Sequence, residues 1–131
     1  MSRSYEFLKD CGTFFVLTLN GNGPAGRPFG AVMEYGGKLY FSTATMKDVY
    51  RQLTGNPNIQ ILALKAGTRD WIRINGTAVE CKELSIKERM MTEFPALKKR
   101  FESPECECFA VFEVAEKESY MSINDKFVKV D

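Results

Sequence analysis

"PFGAVMEYGGKLYFSTATMKDVYRQLTGNP" (residues 28–57) changes period half-way along, and that change decides the fold. Its first part is two apolar runs, "PFGAVMEY" (28–35) and "KLYFST" (38–43), separated by Gly36-Gly37, the composition of a two-residue β-hairpin. Its second part has helical spacing. Thr45 can cap a first turn with Asp48 three residues later, Val49 and Leu53 fall one turn apart, Gly55 ends the helix and Pro57 prevents its continuation. Upstream, "TFFVLTLN" (13–20) reads as another strand. Three strands in succession without an intervening helix argue against parallel winding, which needs a crossover after nearly every strand.

The segment joining the first two strands, "GNGPAG" (21–26), satisfies G-x-G-x-x-G letter for letter. A dinucleotide fingerprint requires a helix directly after its glycines, where the pyrophosphate meets unpaired N–H groups. Here Arg27-Pro28 holds the chain extended and a β-like run follows, so Gly21 to Gly26 is expected to be a hairpin loop.

Working outward, "YEFLKDCG" predicts a short helix with Phe7, Leu8 and Cys11 on one side and Gly12 just past its end. "NIQILALK" (58–65) and the alternating "DWIRINGTAVECK" (70–82) are strands, the second with Ile72, Ile74 and Ala78 on one face and Trp71, Arg73, Asn75 and Thr77 on the other. "LSIKERMMTEF" opens with a Ser85/Glu88 capping box, "PALKKRFESPE" reads as a charged connector, and residues 106–121 form the last long strand before a short amphipathic tail. Six strands and about three helices, linked by hairpins and short helical excursions, predict a mainly β antiparallel barrel with peripheral helices.

A chain of 131 residues is about one domain, 1–131, and its net charge of +1 offers no electrostatic reason to bind nucleic acid or an anionic membrane. No apolar run approaches the ~20 residues of a membrane span, and a cytoplasmic setting is expected. The four cysteines lack framework spacing, so reduced thiols are expected. Cys106 and Cys108 share one strand face as buried thiols, or begin a zinc site if Cys11 and Cys81 converge on them; buried thiols are the simpler reading and no metal is expected. Histidine is absent altogether, which excludes Ser-His-Asp and Cys-His nucleophile systems, His-ligated zinc and the usual axial ligand of haem. Any chemistry here is expected to come from a bound cofactor, or there is none.

In "FSTATMKD" (41–48) a strand ends in two hydroxyls, Ser42 and Thr43, and a helix begins with Lys47 in its first turn. Free N–H donors, hydroxyls and an ammonium at a helix start suit a phosphate, though a plain cap with a solvated lysine has the same sequence. Arg27 precedes a strand that would pair with the Ser42/Thr43 strand, which brings a guanidinium toward the same point.

Together with "DWIRINGTAV", the stretch from Gly26 to Leu64 resembles the pyridoxamine 5′-phosphate oxidase-like superfamily of FMN-binding split barrels, with the closest likeness to general stress and nitroimidazole-reductase-like members. The resemblance covers about residues 5 to 115 and implies a homodimer of six-stranded barrels with FMN in the subunit interface. On that resemblance Arg27 and Lys47 are the phosphate-binding cations, and Ser42 and Thr43 the hydroxyl-bearing strand end. Pro28, Phe29 and Gly30 run along the flavin ring, and Trp71, with Arg73 beside it, faces the flavin of the partner subunit. Trp71 as an ordinary interface anchor is the competing reading. The substrate-holding arginine-histidine pair of the vitamin oxidases has no counterpart in "SYMSINDKFVKVD".

The expected function is therefore a flavin-dependent oxidoreductase, not a true pyridoxamine phosphate oxidase, taking electrons from a nicotinamide or another reductant to a small-molecule electron acceptor. No residue stands out as a catalytic acid or base. The alternatives are a flavin-binding stress or sensor module without turnover, and a deazaflavin-dependent relative. Lys98-Lys99-Arg100, flanked by Glu93, Glu102 and Glu105, reads as solvated rather than nucleic-acid-binding.

Overall fold

A computed structural model describes residues 1–131 as an antiparallel split β-barrel of eight strands with four helices. The order is α1 (Arg3–Cys11), β1 (Phe14–Asn20), β2 (Gly23–Phe29), β3 (Val32–Tyr35), β4 (Lys38–Ala44), α2 (Asp48–Gly55), β5 (Asn58–Leu64), β6 (Trp71–Cys81), α3 (Leu84–Glu93), α4 (Pro95–Phe101), β7 (Phe109–Ile123) and β8 (Lys126–Val130). Across the sheet the strands run β2-β1-β5-β6-β7-β4-β3, with β8 also on β7.

The two extra strands have physical causes. The glycine-rich segment is itself a strand: β2 pairs with β1 from Asn20↔Gly23 to Phe14↔Phe29, and only Gly21 and Asn22 form the turn. Pro24 and Pro28 are tolerated because β2 is an edge strand, where a missing N–H costs no ladder bond. The single run expected over 28–35 is broken at Gly30-Ala31, so Pro28 and Phe29 finish β2 while Val32 begins β3. The amphipathic tail adds to β7 as β8, and the charged connector is α4, with Pro95 as its first residue.

Two predicted caps are absent. Helix α2 begins at Asp48 after Lys47, not around Thr45, and α3 begins at Leu84 after Glu83, which puts Ser85 inside the helix; neither start has a side-chain cap bond. Cys106 and Cys108 precede β7 instead of lying in it, and their sulfurs are joined in a disulfide rather than free. The short three-residue turn brings the two sulfurs together, which a shared strand face would not.

Strand β7 is the longest element, and its two edges carry different loads. One edge pairs with β6 from Val111 to Ser122; the other pairs with β4 through Phe109–Glu113 and with β8 through Ser119–Ile123. The bend between them is a β-bulge, since between Asn75↔Glu118 and Thr77↔Ala115 strand β7 carries one residue more than β6, with Glu116 at φ 50°. Gly76 faces this bulge so closely that a Cβ there would stand 2.8 Å from Val114 Cγ1 and 3.0 Å from the Ala115 carbonyl oxygen.

The barrel interior is filled by Phe14, Val16, Phe41, Ile61, Ile72, Ile74 and Phe112 with their neighbours, capped by α1 and α2. A second apolar cluster lies outside the wall, where α3 and α4 cover Met33, Tyr40, Ala44 and Phe109. Helix α1 is clasped at its N-terminus. The Asp131 carboxylate accepts from Arg3 N (2.6 Å), Ser4 N (3.1 Å) and Ser4 Oγ (3.0 Å), and Ser2 bonds to the Glu34 carboxylate. Burial alone would raise the Asp131 pKa; these bonds to its charged form outweigh burial and hold it below the ordinary value.

Gly76→Ala should destabilise the fold by about 1–3 kcal/mol through overpacking at the bulge, read as a lower denaturant midpoint. Because the folded-state pKa of Asp131 is depressed, its stabilisation is complete above the ordinary carboxylate value of about 4 and disappears as pH falls through the folded value. Asp131→Ala should therefore cost about 1 kcal/mol at neutral pH, the usual worth of a helix cap, and much less in acid, measured by denaturation at the two pH values.

Candidate functional site

The sheet runs from β2 to β3, its two outer strands, and the chain joins those ends directly through Gly30 and Ala31. Phe29 closes this seam from inside, with its ring 6.1 Å from Phe14 and 5.5 Å edge-on from Phe41. A cleft of about 220 Å³ opens at the seam. Seven residues expected at a cofactor site line it: Arg27, Pro28, Phe29, Gly30, Ser42, Thr43 and Lys47. The route differs from the expected one. Arg27 pairs across from Val16 in β1, not with the Ser42/Thr43 strand, and closure of the barrel is what brings the two together.

Arg27 is anchored by neutral groups. Its Nη1 donates to the Val16 carbonyl (3.1 Å) and to Thr18 Oγ1 (2.8 Å), and its Nη2 donates to Gln52 Oε1 (2.7 Å). The Thr18 hydroxyl donates to the same Gln52 oxygen, and both residues are buried. Burial pulls the Arg27 pKa down, against a smaller opposing pull from Asp48, and the guanidinium remains charged at neutral pH. Its charge is thus fixed in place without being neutralised by a paired carboxylate, since the ion pairs of the fold involve other cations.

Lys47 stands at the N-cap position of α2 with an exposed side chain. Two amides beside it are already used: Thr45 N donates to the Cys108 carbonyl (3.0 Å) and Lys47 N to the Ala44 carbonyl (3.1 Å). The positive character of this corner therefore rests on side-chain cations more than on these backbone amides. Ser42 and Thr43 are adjacent on β4 and so lie on opposite faces, Thr43 with Phe41 toward the interior and Ser42 with Tyr40 toward α3 and α4.

Helix α4 contributes what the sequence reading missed. Leu97, Arg100 and Phe101 line the same cleft, so a third cation faces it, and no carboxylate is among the lining residues. The available signals were Pro95 at a helix start and the i, i+4 pair Leu97/Phe101. Trp71 lies elsewhere, on the outer face of β6, in an apolar patch with Phe15, Leu62, Ala63 and Leu64. Arg73 covers its ring at 4.9 Å and Phe127 packs against it at 5.6 Å.

A profile of the pyridoxamine 5′-phosphate oxidase family matches residues 3–121. The chain belongs to this family. Among solved structures, this family chain is similar to a NimC/NimA family protein from Clostridium acetobutylicum, at 33% identity and a TM-score of 0.91 over 98% of this chain and 89% of that one. It also shares its fold with general stress protein 26 of Bacillus anthracis (18% identity, TM-score 0.74, 95% of each chain). A heme binding protein of Mycobacterium smegmatis is a third fold relative (16% identity, TM-score 0.74), with 98% of this chain matching 57% of that one. No curated protein matches the chain. No helix is long and apolar enough to cross a membrane.

Proposed function

We propose that this family member binds FMN in the seam cleft and works as a flavin-dependent oxidoreductase on a small electron acceptor. The observation that carries the reading is the half-buried Arg27 guanidinium, held by neutral partners in a cleft that Lys47 and Arg100 also line and no carboxylate does. Such an excess of fixed positive charge suits a phosphate monoester, which an arginine fork grips bidentately and a lysine meets as a point charge. Ser42 and Thr43 supply hydroxyls in the same cleft, and Pro28, Phe29 and Gly30 complete its lining with β2 and the β2–β3 link.

Bound FMN would supply the electron-transfer chemistry, and the residues around it would bind, orient and exclude water. At about 220 Å³ the cleft is below the 300–1,000 Å³ typical of pockets for drug-sized ligands, which fits a site completed by a second copy of the chain. The outer sheet face is suited to that copy: Phe15 and Leu64 are 47% and 61% exposed, and across it the pairs Pro28↔Phe15, Phe15↔Leu62 and Leu62↔Arg73 form one row that begins at the cleft. Trp71 on this face would then approach the partner's cofactor rather than its own. The absence of histidine from the chain, and of any acid from the cleft, also favours a second reading as a flavin-binding module without turnover.

The purified protein should retain visible flavin absorbance after incubation with FMN and desalting. Arg27→Ala, Lys47→Ala and Arg100→Ala should each weaken binding about tenfold or more, the usual scale of a lost charge-assisted hydrogen bond. A colourless wild type removes the cofactor reading. Bleaching by a nicotinamide with reoxidation by an acceptor separates the enzyme from the module, and competition with FMN would reveal a deazaflavin. Phe15→Glu with Leu64→Glu should give a monomer in sedimentation velocity where wild type gives a dimer.

A further inference from the structure

The disulfide Cys106–Cys108 is unexplained by any role in holding the fold. It spans two residues, so it closes one of the smallest loops a chain can form and removes little freedom from the unfolded state. The turn already has backbone bonds of its own, from Cys106 N to the Ser103 carbonyl (3.1 Å) and from Phe109 N to the Cys106 carbonyl (3.1 Å). Both cysteines are half-buried, with exposed Glu105 and Glu107 on either side, so a small reagent can reach the sulfurs. Accessible bridges of this kind are the ones that exchange, in contrast to buried structural ones.

Its position couples it to the cleft. The Cys108 carbonyl holds the Thr45 amide (3.0 Å), two residues before Lys47, and Phe109 is the register partner of Ala44. The Phe109 ring packs 4.9 Å from Phe101, and both cysteines lie against the cluster containing Ala44 and Phe101. Ala44, Lys47 and Phe101 all line the cleft.

We propose that Cys106–Cys108 is a thiol–disulfide exchange site for a small dithiol, and that its redox state sets how firmly the Ala44–Lys47 turn of the cleft is held. One thiolate of the dithiol attacks a bridge sulfur; the S–S bond breaks, a mixed disulfide forms, and the departing cysteine takes a proton. The second thiol of the reagent then displaces the other cysteine and leaves as a cyclic disulfide. The chain gains two electrons and two protons, and the dithiol loses the same. In the reduced chain Cys108 is freer to move and its hold on Thr45 weakens.

The first test is a thiol count by maleimide labelling after unfolding. Protein incubated with oxidised glutathione should expose two thiols, Cys11 and Cys81, and all four after dithiothreitol, with the bridge re-forming when oxidised glutathione is restored. Four thiols after oxidation, or two that persist after dithiothreitol, would overturn the site. The second test is hydrogen exchange at the Thr45 amide, which should quicken on reduction of the wild type. In a Cys106→Ser/Cys108→Ser variant it should be fast throughout and indifferent to dithiothreitol. Equal exchange in oxidised and reduced wild type would overturn the coupling. Only the meaning of the cleft rests on the FMN reading; neither measurement involves flavin, so the two ideas fail separately.

Discussion

Strand β7 must satisfy different neighbours on each edge, and most of the architecture follows from how it does so. A straight fifteen-residue strand could not pair with β6 along its length while handing its opposite edge from β4 to β8. The extra residue near Glu116 bends it, and the bend is possible because Gly76 presents no side chain to the bulge. From the first half of β7 hangs β4, with Ser42 and Thr43 and the turn leading to Lys47. From the second half hangs β8, which delivers Asp131 to helix α1 and Phe127 to Trp71. The cleft and the outer aromatic face are thus set by one strand, although no residue of that strand lines the cleft.

The cleft gathers positive charge without immediately cancelling it. A guanidinium removed partly from water normally finds a carboxylate; Arg27 instead finds a carbonyl, a hydroxyl and an amide oxygen. Neutral acceptors fix its geometry while leaving its field to act on whatever occupies the cleft. This is preorganisation in the electrostatic sense: the fold carries the cost of orienting the charge before any ligand arrives. Lys47, exposed and mobile on a four-carbon stem, has no such scaffold and acts as a point charge.

How much of this was legible depended on whether a feature is local. The Gly36-Gly37 hairpin was, because both residues take positive φ, 60° and 77°, a requirement visible in the residue types themselves. The gathering of Arg27, Ser42, Thr43 and Lys47 in one cleft was legible as a set, since cations and hydroxyls of matching chemistry recur within a short span of sequence. The strand character of the glycine-rich segment was not, because two prolines argue against a strand unless it is known to be at an edge, which is a tertiary fact. Gln52 as the acceptor for Arg27 was hidden among the polar residues of α2, and Arg100 looked like one of three solvated cations. Bonding between Cys106 and Cys108 depends on a turn whose shape the spacing alone does not determine.

The Asp131 clasp on helix α1 joins positions 128 apart in the chain. Contacts of such separation are costly to close early, because the intervening chain must first give up its freedom, and antiparallel barrels with many of them fold slowly. On the ribosome the consequence is one of timing. Helix α1 is made before the sheet but lacks the Asp131 carboxylate until residue 131 has been added, so its first turn waits, partly unsupported, through synthesis of the entire sheet. Closure of the clasp is tied to the arrival of β8, and a nascent segment stopped short of that strand would leave the helix start without Asp131 and the outer edge of the second half of β7 unpaired.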